Sequence, residues 1–209
     1  MKQWMDKTRS KFRTNKSMFV FLFILVIVGI VAGSLFLLMI SKDDQAMVHH
    51  YLSTFLDHVK QNKLNFLQAL QGSLIGNILF VLGIWLLGIS VIGIPIMIFM
   101  FFSKAFTLGF ALSSMIANYK VKGCLLGFVY VFPHHIFNIL LYSFLMAYAL
   151  SFSIRLIFSL LKKKSLDFKV MMNQYVKVLI ICVVGIVVTS LMETFLTPVL
   201  LKEVLKIIG

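Results

Sequence analysis

Of the 209 residues, 60% are hydrophobic, 13% are charged and 21 are Phe. A soluble domain carries about 25% charged residues, so this chain has too little polar surface to coat a water-soluble particle. Intrinsic disorder is excluded by the same hydrophobicity, and a disulfide-stapled secreted fold by the presence of only 2 Cys. The 20 Lys+Arg against 7 Asp+Glu give a net charge of +13. These cations cluster between apolar runs, the pattern of cytoplasmic loops of a membrane protein rather than of a nucleic-acid-binding face.

Residues 1–17 hold Lys2, Lys7, Arg9, Lys11, Arg13 and Lys16 against Asp6 alone, which predicts a cytoplasmic basic tail. Met18 to Ile40 follows without a charge. That is long enough to cross the hydrocarbon core and too long for the apolar region of a cleaved leader, so it reads as a signal anchor. Residues 41–72 balance Lys42, Lys60 and Lys63 with Asp43, Asp44 and Asp57, as expected of an outer segment. Their apolar positions recur at helical spacing, predicting one or two amphipathic helices with Asp43 or Asp44 as the cap. Tyr51, Leu52, Phe55 and Leu56 form the candidate partner or surface face.

Ser73 to Ala117 contains the single charge Lys104, room for spans over 74–92 and 96–117 broken at Gly93-Ile94-Pro95. The polar connection 118–123 precedes a span over 124–156. Pro133 makes this span either one kinked helix or a half-helix followed by a full one. Lys162, Lys163, Lys164, Lys169 and Lys177 mark a second cytoplasmic loop, 157–177, and the last span covers 178–200 before a short tail, 202–209. The expected fold is therefore all-α: a single polytopic integral membrane domain over 18–201, with about five transmembrane helices and an outer amphipathic segment. Its N-terminus is expected in the cytoplasm and its C-terminus outside. Lys120 and Lys122 then fall on the outer face, against the charge rule, and a re-entrant segment at 105–117 or 124–133 would remove that conflict.

Glu193 is the one acid inside an expected span, at a cost of about 2.5–3.5 kcal/mol on insertion scales, so it needs a partner. Lys104, His134, His135, Asn138 and Arg155 are the candidates, and Lys104, His134, His135, Asn138 and Glu193 make up the candidate intramembrane polar cluster. A polar clamp fixing helix register is favoured over a proton or ion relay. Neither His134-His135 nor His49-His50 and His58 has the companions of a zinc site, and no nucleophile, phosphate-loop or dinucleotide motif occurs. No catalytic residue, cofactor or metal is expected. Cys124 and Cys182 read as small buried hydrophobes. The pairs Gly29/Gly33, Gly72/Gly76 and Gly123/Gly127 read as close helix contacts, one of which could join copies into a homo-oligomer.

In order and spacing, these landmarks resemble the stage II sporulation protein M family. They are Gly29-Ile30-Val31-Ala32-Gly33, Leu87-Gly88-Ile89-Ser90-Val91-Ile92-Gly93-Ile94-Pro95, Lys104-Ala105-Phe106-Thr107-Leu108-Gly109-Phe110, Pro133-His134-His135-Ile136-Phe137-Asn138 and Glu193-Thr194-Phe195-Leu196-Thr197-Pro198. Many relatives look like Pro-His-Gly-x-x-Glu in the fourth span, where this chain has His135 and Asn138. The resemblance implies a non-enzymatic scaffold in the cell membrane. Such a scaffold would hold the peptidoglycan-degrading stage II sporulation proteins D and P during endospore engulfment. Its other partner is the lipid bilayer, and nucleic acid is not expected. The alternative is a transporter-like or permease-like membrane subunit.

Overall fold

The computed structural model describes residues 2–131, 134–162 and 168–208, with side chains left out at 2–15, 162 and 208. Most side chains of the expected basic tail, Pro133 and the Lys163–Lys164 part of the basic loop thus lie outside the described residues. Those residues form helices and no strand: α1 (Lys2–Met39), α2 (Lys42–Lys60), α3 (Phe66–Gly88), α4 (Gly93–Val131), α5 (His134–Lys162), α6 (Phe168–Leu191), a π-helical turn (Met192–Leu196) and α7 (Thr197–Ile208). Five helical stretches are long and apolar enough to cross a membrane, and their outer faces remain greasy: Phe23, Leu38, Leu79, Phe99, Leu160 and Val184 are all exposed. This is an all-α polytopic membrane protein.

Contacts along the bundle fix the helix directions. Ser34 Oγ on α1 donates to Gly109 O on α4 at 3.2 Å, and Gly29 lies lower, against Ala105, so α1 and α4 run parallel. Ser153 Oγ on α5 donates to Gly88 O at 2.6 Å, and Tyr142 OH reaches Asn77 Oδ1 at 2.7 Å, so α3 and α5 share a direction. α6 opposes both, with Ser190 beside Ser73 and Tyr175 OH on Trp85 O at 3.0 Å. The inner half of the bundle is filled by Leu22, Val81, Ile84, Met97, Leu145, Met146 and Ile186, all fully buried.

Several boundaries differ from the sequence reading. The amphipathic segment stops at Asn62 rather than 72. Asn62 adopts φ 53°, and its amide and that of Lys63 bond to Val59 O and His58 O at 3.3 and 3.0 Å, a left-handed stop that Asn tolerates. The cap of α2 is Ser41, whose Oγ accepts from the Asp44 amide at 3.1 Å, while Asp43 and Asp44 sit in the first turn. α3 starts at Phe66 under an Asn65 cap and ends at Gly88, so the break lies at 89–92 and Pro95 falls in the first turn of α4, where its missing N–H costs nothing.

Of the two readings of 124–156, the half-helix followed by a full helix is the one found. At Lys120, φ 53° and ψ −127° turn α4 back on itself into limbs 93–119 and 121–131. The second limb packs against the first: a Cβ at Gly123 would overlap the Met115 carbonyl, and one at Gly127 would lie 3.1 Å from Leu112 Cδ2. α5 then begins at His134. The final span is longer than 178–200, and residues 202–208 continue as α7 instead of a free tail. There Leu201 is buried with Leu56, Val59, Met115 and Leu126, a second small core that joins α2, the Lys120 reversal and α7 at one end of the molecule.

Of the glycine pairs, Gly29 and Gly33 press on α4, where a Cβ would meet Ala105 Cβ at 2.7 Å or overlap the Phe106 carbonyl. Gly72 and Gly76 have no atom of the described residues within 4 Å of a Cβ position, so they press on no other helix among those residues. Cys182 is buried as expected, whereas Cys124 is exposed on the second limb of α4.

Candidate functional site

Pro198 shapes the place where the polar residues meet. Proline has no amide hydrogen and its ring crowds the carbonyl four residues earlier, here Thr194. The helix accommodates this by widening into the π-helical turn Met192–Leu196, a device often found at functional positions. The turn swings Glu193 toward α3 and α5.

Glu193 Oε2 accepts the Ser73 hydroxyl at 2.6 Å. Ser73 Oγ in turn accepts Asn77 Nδ2 at 3.3 Å, and Asn77 Oδ1 accepts the Tyr142 hydroxyl at 2.7 Å. On the other side of the carboxylate, Oε1 lies 4.0 Å from His134 Nε2. His134 is fully buried, its Nδ1 is 3.0 Å from Thr197 Oγ1, and its Nε2 has no hydrogen-bond partner among the described residues. Thr194 Oγ1 is also buried, without a hydrogen-bond partner among those residues.

The remaining cluster candidates take separate places. Asn138 is buried and accepts the Thr189 hydroxyl at 2.5 Å. His135 packs on His134 and Tyr130, ring centroids 4.1 and 5.1 Å apart. Lys104 makes no ion pair with Glu193. Its Nζ lies over the Phe80 ring at 5.0 Å and near the Tyr142 ring at 6.0 Å, a placement that replaces hydration with aromatic faces. Even so, Lys104, His135, Asn138 and Glu193 border one cavity of about 240 Å³, beside the open faces of Gly72 and Gly76. Arg155, also a candidate partner, lies at the far end of the bundle beside Gln174 and Lys177.

A second space, about 500 Å³, opens between α2, α4 and the π-helical turn. Tyr51, Leu52 and Phe55 form one wall, Phe110 and Met115 another, and His134 with Glu193 its polar floor. Of the candidate surface face, Tyr51 is 69% exposed, Leu52 and Phe55 are half-buried, and Leu56 is 4% exposed within the small core. Sequence reasoning missed Ser73, Asn77 and Tyr142. Their signal was present in retrospect, since Ser73 and Asn77 are polar residues four apart on a span and so share a face.

The profile of the family described as Stage II sporulation protein M matches residues 19–198, from the first span through the π-helical turn to Pro198. No curated protein and no solved structure matches the chain. With that match across most of its length, the chain belongs to the stage II sporulation protein M family and is a sporulation-related, multi-pass membrane protein.

Proposed function

We propose that the protein is a non-enzymatic membrane scaffold that brings peptidoglycan-degrading partners, stage II sporulation proteins D and P, to the engulfing membrane of the sporulating cell. The observation that carries this reading is the family match over residues 19–198. The charge distribution supports an orientation with the end opposite α2 in the cytoplasm: Arg155 and Lys177 gather there, and Lys16 just precedes Met18, which meets Ser151 beside them. α2 and the C-terminus then face the wall. There α2 offers Met47 and Tyr51, 58% and 69% exposed, while Leu56 and Val59 hold it to the bundle. Glycan hydrolysis commonly needs two facing carboxylates. Glu193 is the one acid lining either cavity of the polar cluster, so the chemistry is assigned to the partners.

One observation favours a transport subunit as the second reading: Lys104, His135, Asn138 and Glu193 share a cavity. Val81, Ile84, Met97 and Leu145, which do not line that cavity, are fully buried in an apolar core, which supports the scaffold over a path through the bundle. Affinity purification of the tagged chain from sporulating cells separates the two. Recovery of the two wall hydrolases above an untagged control is the expected result. Their absence, with an ATPase recovered instead, would transfer the assignment to transport.

A further inference from the structure

Between α5 and α6, at the end of the bundle opposite α2, lies a cavity of about 270 Å³. Tyr148, Phe152 and Arg155 stand on one face of α5, at i, i+4 and i+7, across from Gln174, Lys177 and Val178 of α6. Ser153 fixes its depth. The Ser153 Oγ lies 2.6 Å from Gly88 O and 3.2 Å from Ser90 O, in the turn that joins α3 to α4. A turn between two spans sits where the hydrocarbon ends, so the cavity opens at the level of lipid headgroups. Its charge is one-sided: among the described residues, Arg155 and Lys177 form no ion pair, and no acid lines the cavity. Its floor is aromatic. Phe152 and Tyr175 are buried and stack at 4.9 Å, and the Tyr175 hydroxyl is already spent on Trp85 O. Beneath Lys177, at i+4, i+7 and i+11, Ile181, Val184 and Val188 form an exposed apolar stripe running toward the membrane centre.

We propose that this cavity binds an anionic glycerophospholipid, its phosphodiester between Arg155 and Lys177 and an acyl chain along Ile181 and Val184. Basic pockets between spans suit such headgroups, and the Arg155 guanidinium matches two phosphate oxygens at once while Lys177 adds a point charge. The lack of a lining acid selects the headgroup: an ammonium would meet two cations and no counter-charge, whereas a glycerol meets no repulsion. The apolar stripe selects a lipid over a free phosphate, which would leave that surface unused. The assignment is independent of the scaffold reading and of which leaflet this end occupies, since it rests only on the cavity and the stripe.

The test is native mass spectrometry of the full chain in detergent, titrated with phosphatidylglycerol or with phosphatidylcholine of the same acyl chains. Phosphatidylglycerol is expected to bind about tenfold more tightly. Arg155→Gln and Lys177→Gln should each weaken it about fivefold, the scale of one basic residue at an anionic headgroup, and leave phosphatidylcholine unchanged. Arg155→Lys keeps the charge and should keep most of the affinity, which separates lost charge from lost fold. Lys169→Gln removes a charge from an exposed position that does not line the cavity, and should have no effect. Gln174→Trp leaves both cations but fills the space between them, and should weaken phosphatidylglycerol as much as R155Q does. Equal affinity for the two lipids, a loss in K169Q as large as in R155Q, or full binding by Q174W would overturn the proposal. Displacement of the lipid by an equal concentration of sn-glycerol 3-phosphate would overturn it too, by making the ligand a soluble phosphate.

Discussion

Tyr142 and Glu193 stand at the two ends of one directional hydrogen-bond chain. The Tyr142 hydroxyl donates to Asn77, Asn77 donates to Ser73, and Ser73 donates to the carboxylate at 2.6 Å. Every proton in it points toward Glu193, an arrangement that orders α3, α5 and the π-helical turn together. The intramembrane acid is therefore supported by neutral donors rather than by Lys104, whose ammonium rests on Phe80 and Tyr142.

Ser73→Ala should lower stability by about 1–3 kcal/mol, because the partly buried carboxylate loses its closest donor. Thermal unfolding in a single detergent measures this. Combined with Glu193→Gln, the effect should fall short of the sum by about 0.5–3 kcal/mol, since both changes break one contact. Strict additivity would show that the 2.6 Å contact carries no coupling.

Gly33→Val should detach α1 from α4, because a Cβ there overlaps the Phe106 carbonyl, which is backbone and cannot swing away. Gly72→Ala, at a position with no atom within 4 Å of the new methyl, should fold at the wild-type level. Protease resistance and yield in membranes compare the two. Equal outcomes would contradict the close α1–α4 approach.

Lys120→Gly should raise stability by about 1 kcal/mol. A backbone at φ 53° and ψ −127° strains a residue with a Cβ by about 1–3 kcal/mol, offset in part by glycine's greater freedom when unfolded. Lys120→Val should be destabilising. Melting temperatures in one detergent rank the three proteins, and the expected order is Gly above Lys above Val.

Tyr51→Asp and Leu56→Asp should separate docking from folding. Tyr51 is 69% exposed, so its charge should leave the bundle intact while reducing recovery of the wall hydrolases. Leu56 is 4% exposed in the small core with Leu201, and an unpaired carboxylate there should unseat α2 and lower the amount of folded protein. Unchanged hydrolase recovery with Y51D would remove Tyr51 from the contact surface.

Chain length, apolar runs and the scarcity of charge determined the fold class and the number of spans from sequence alone, because about 30 Å of hydrocarbon demands about 20 apolar residues wherever it is crossed. The need of Glu193 for company was equally legible, since a lone carboxylate in a span is too costly. Which residues would supply that company was decided only by tertiary structure. In a span, lipid-facing and protein-facing side chains are both apolar, so periodicity does not reveal which faces meet. Five candidates were drawn from the sequence, yet the donor is Ser73, brought over by the antiparallel packing of α3 and α6. The connection read at 118–123 does hold the chain reversal at Lys120, whereas the close approach of its two limbs, through Gly123 on Met115 and Gly127 beside Leu112, was decided by packing.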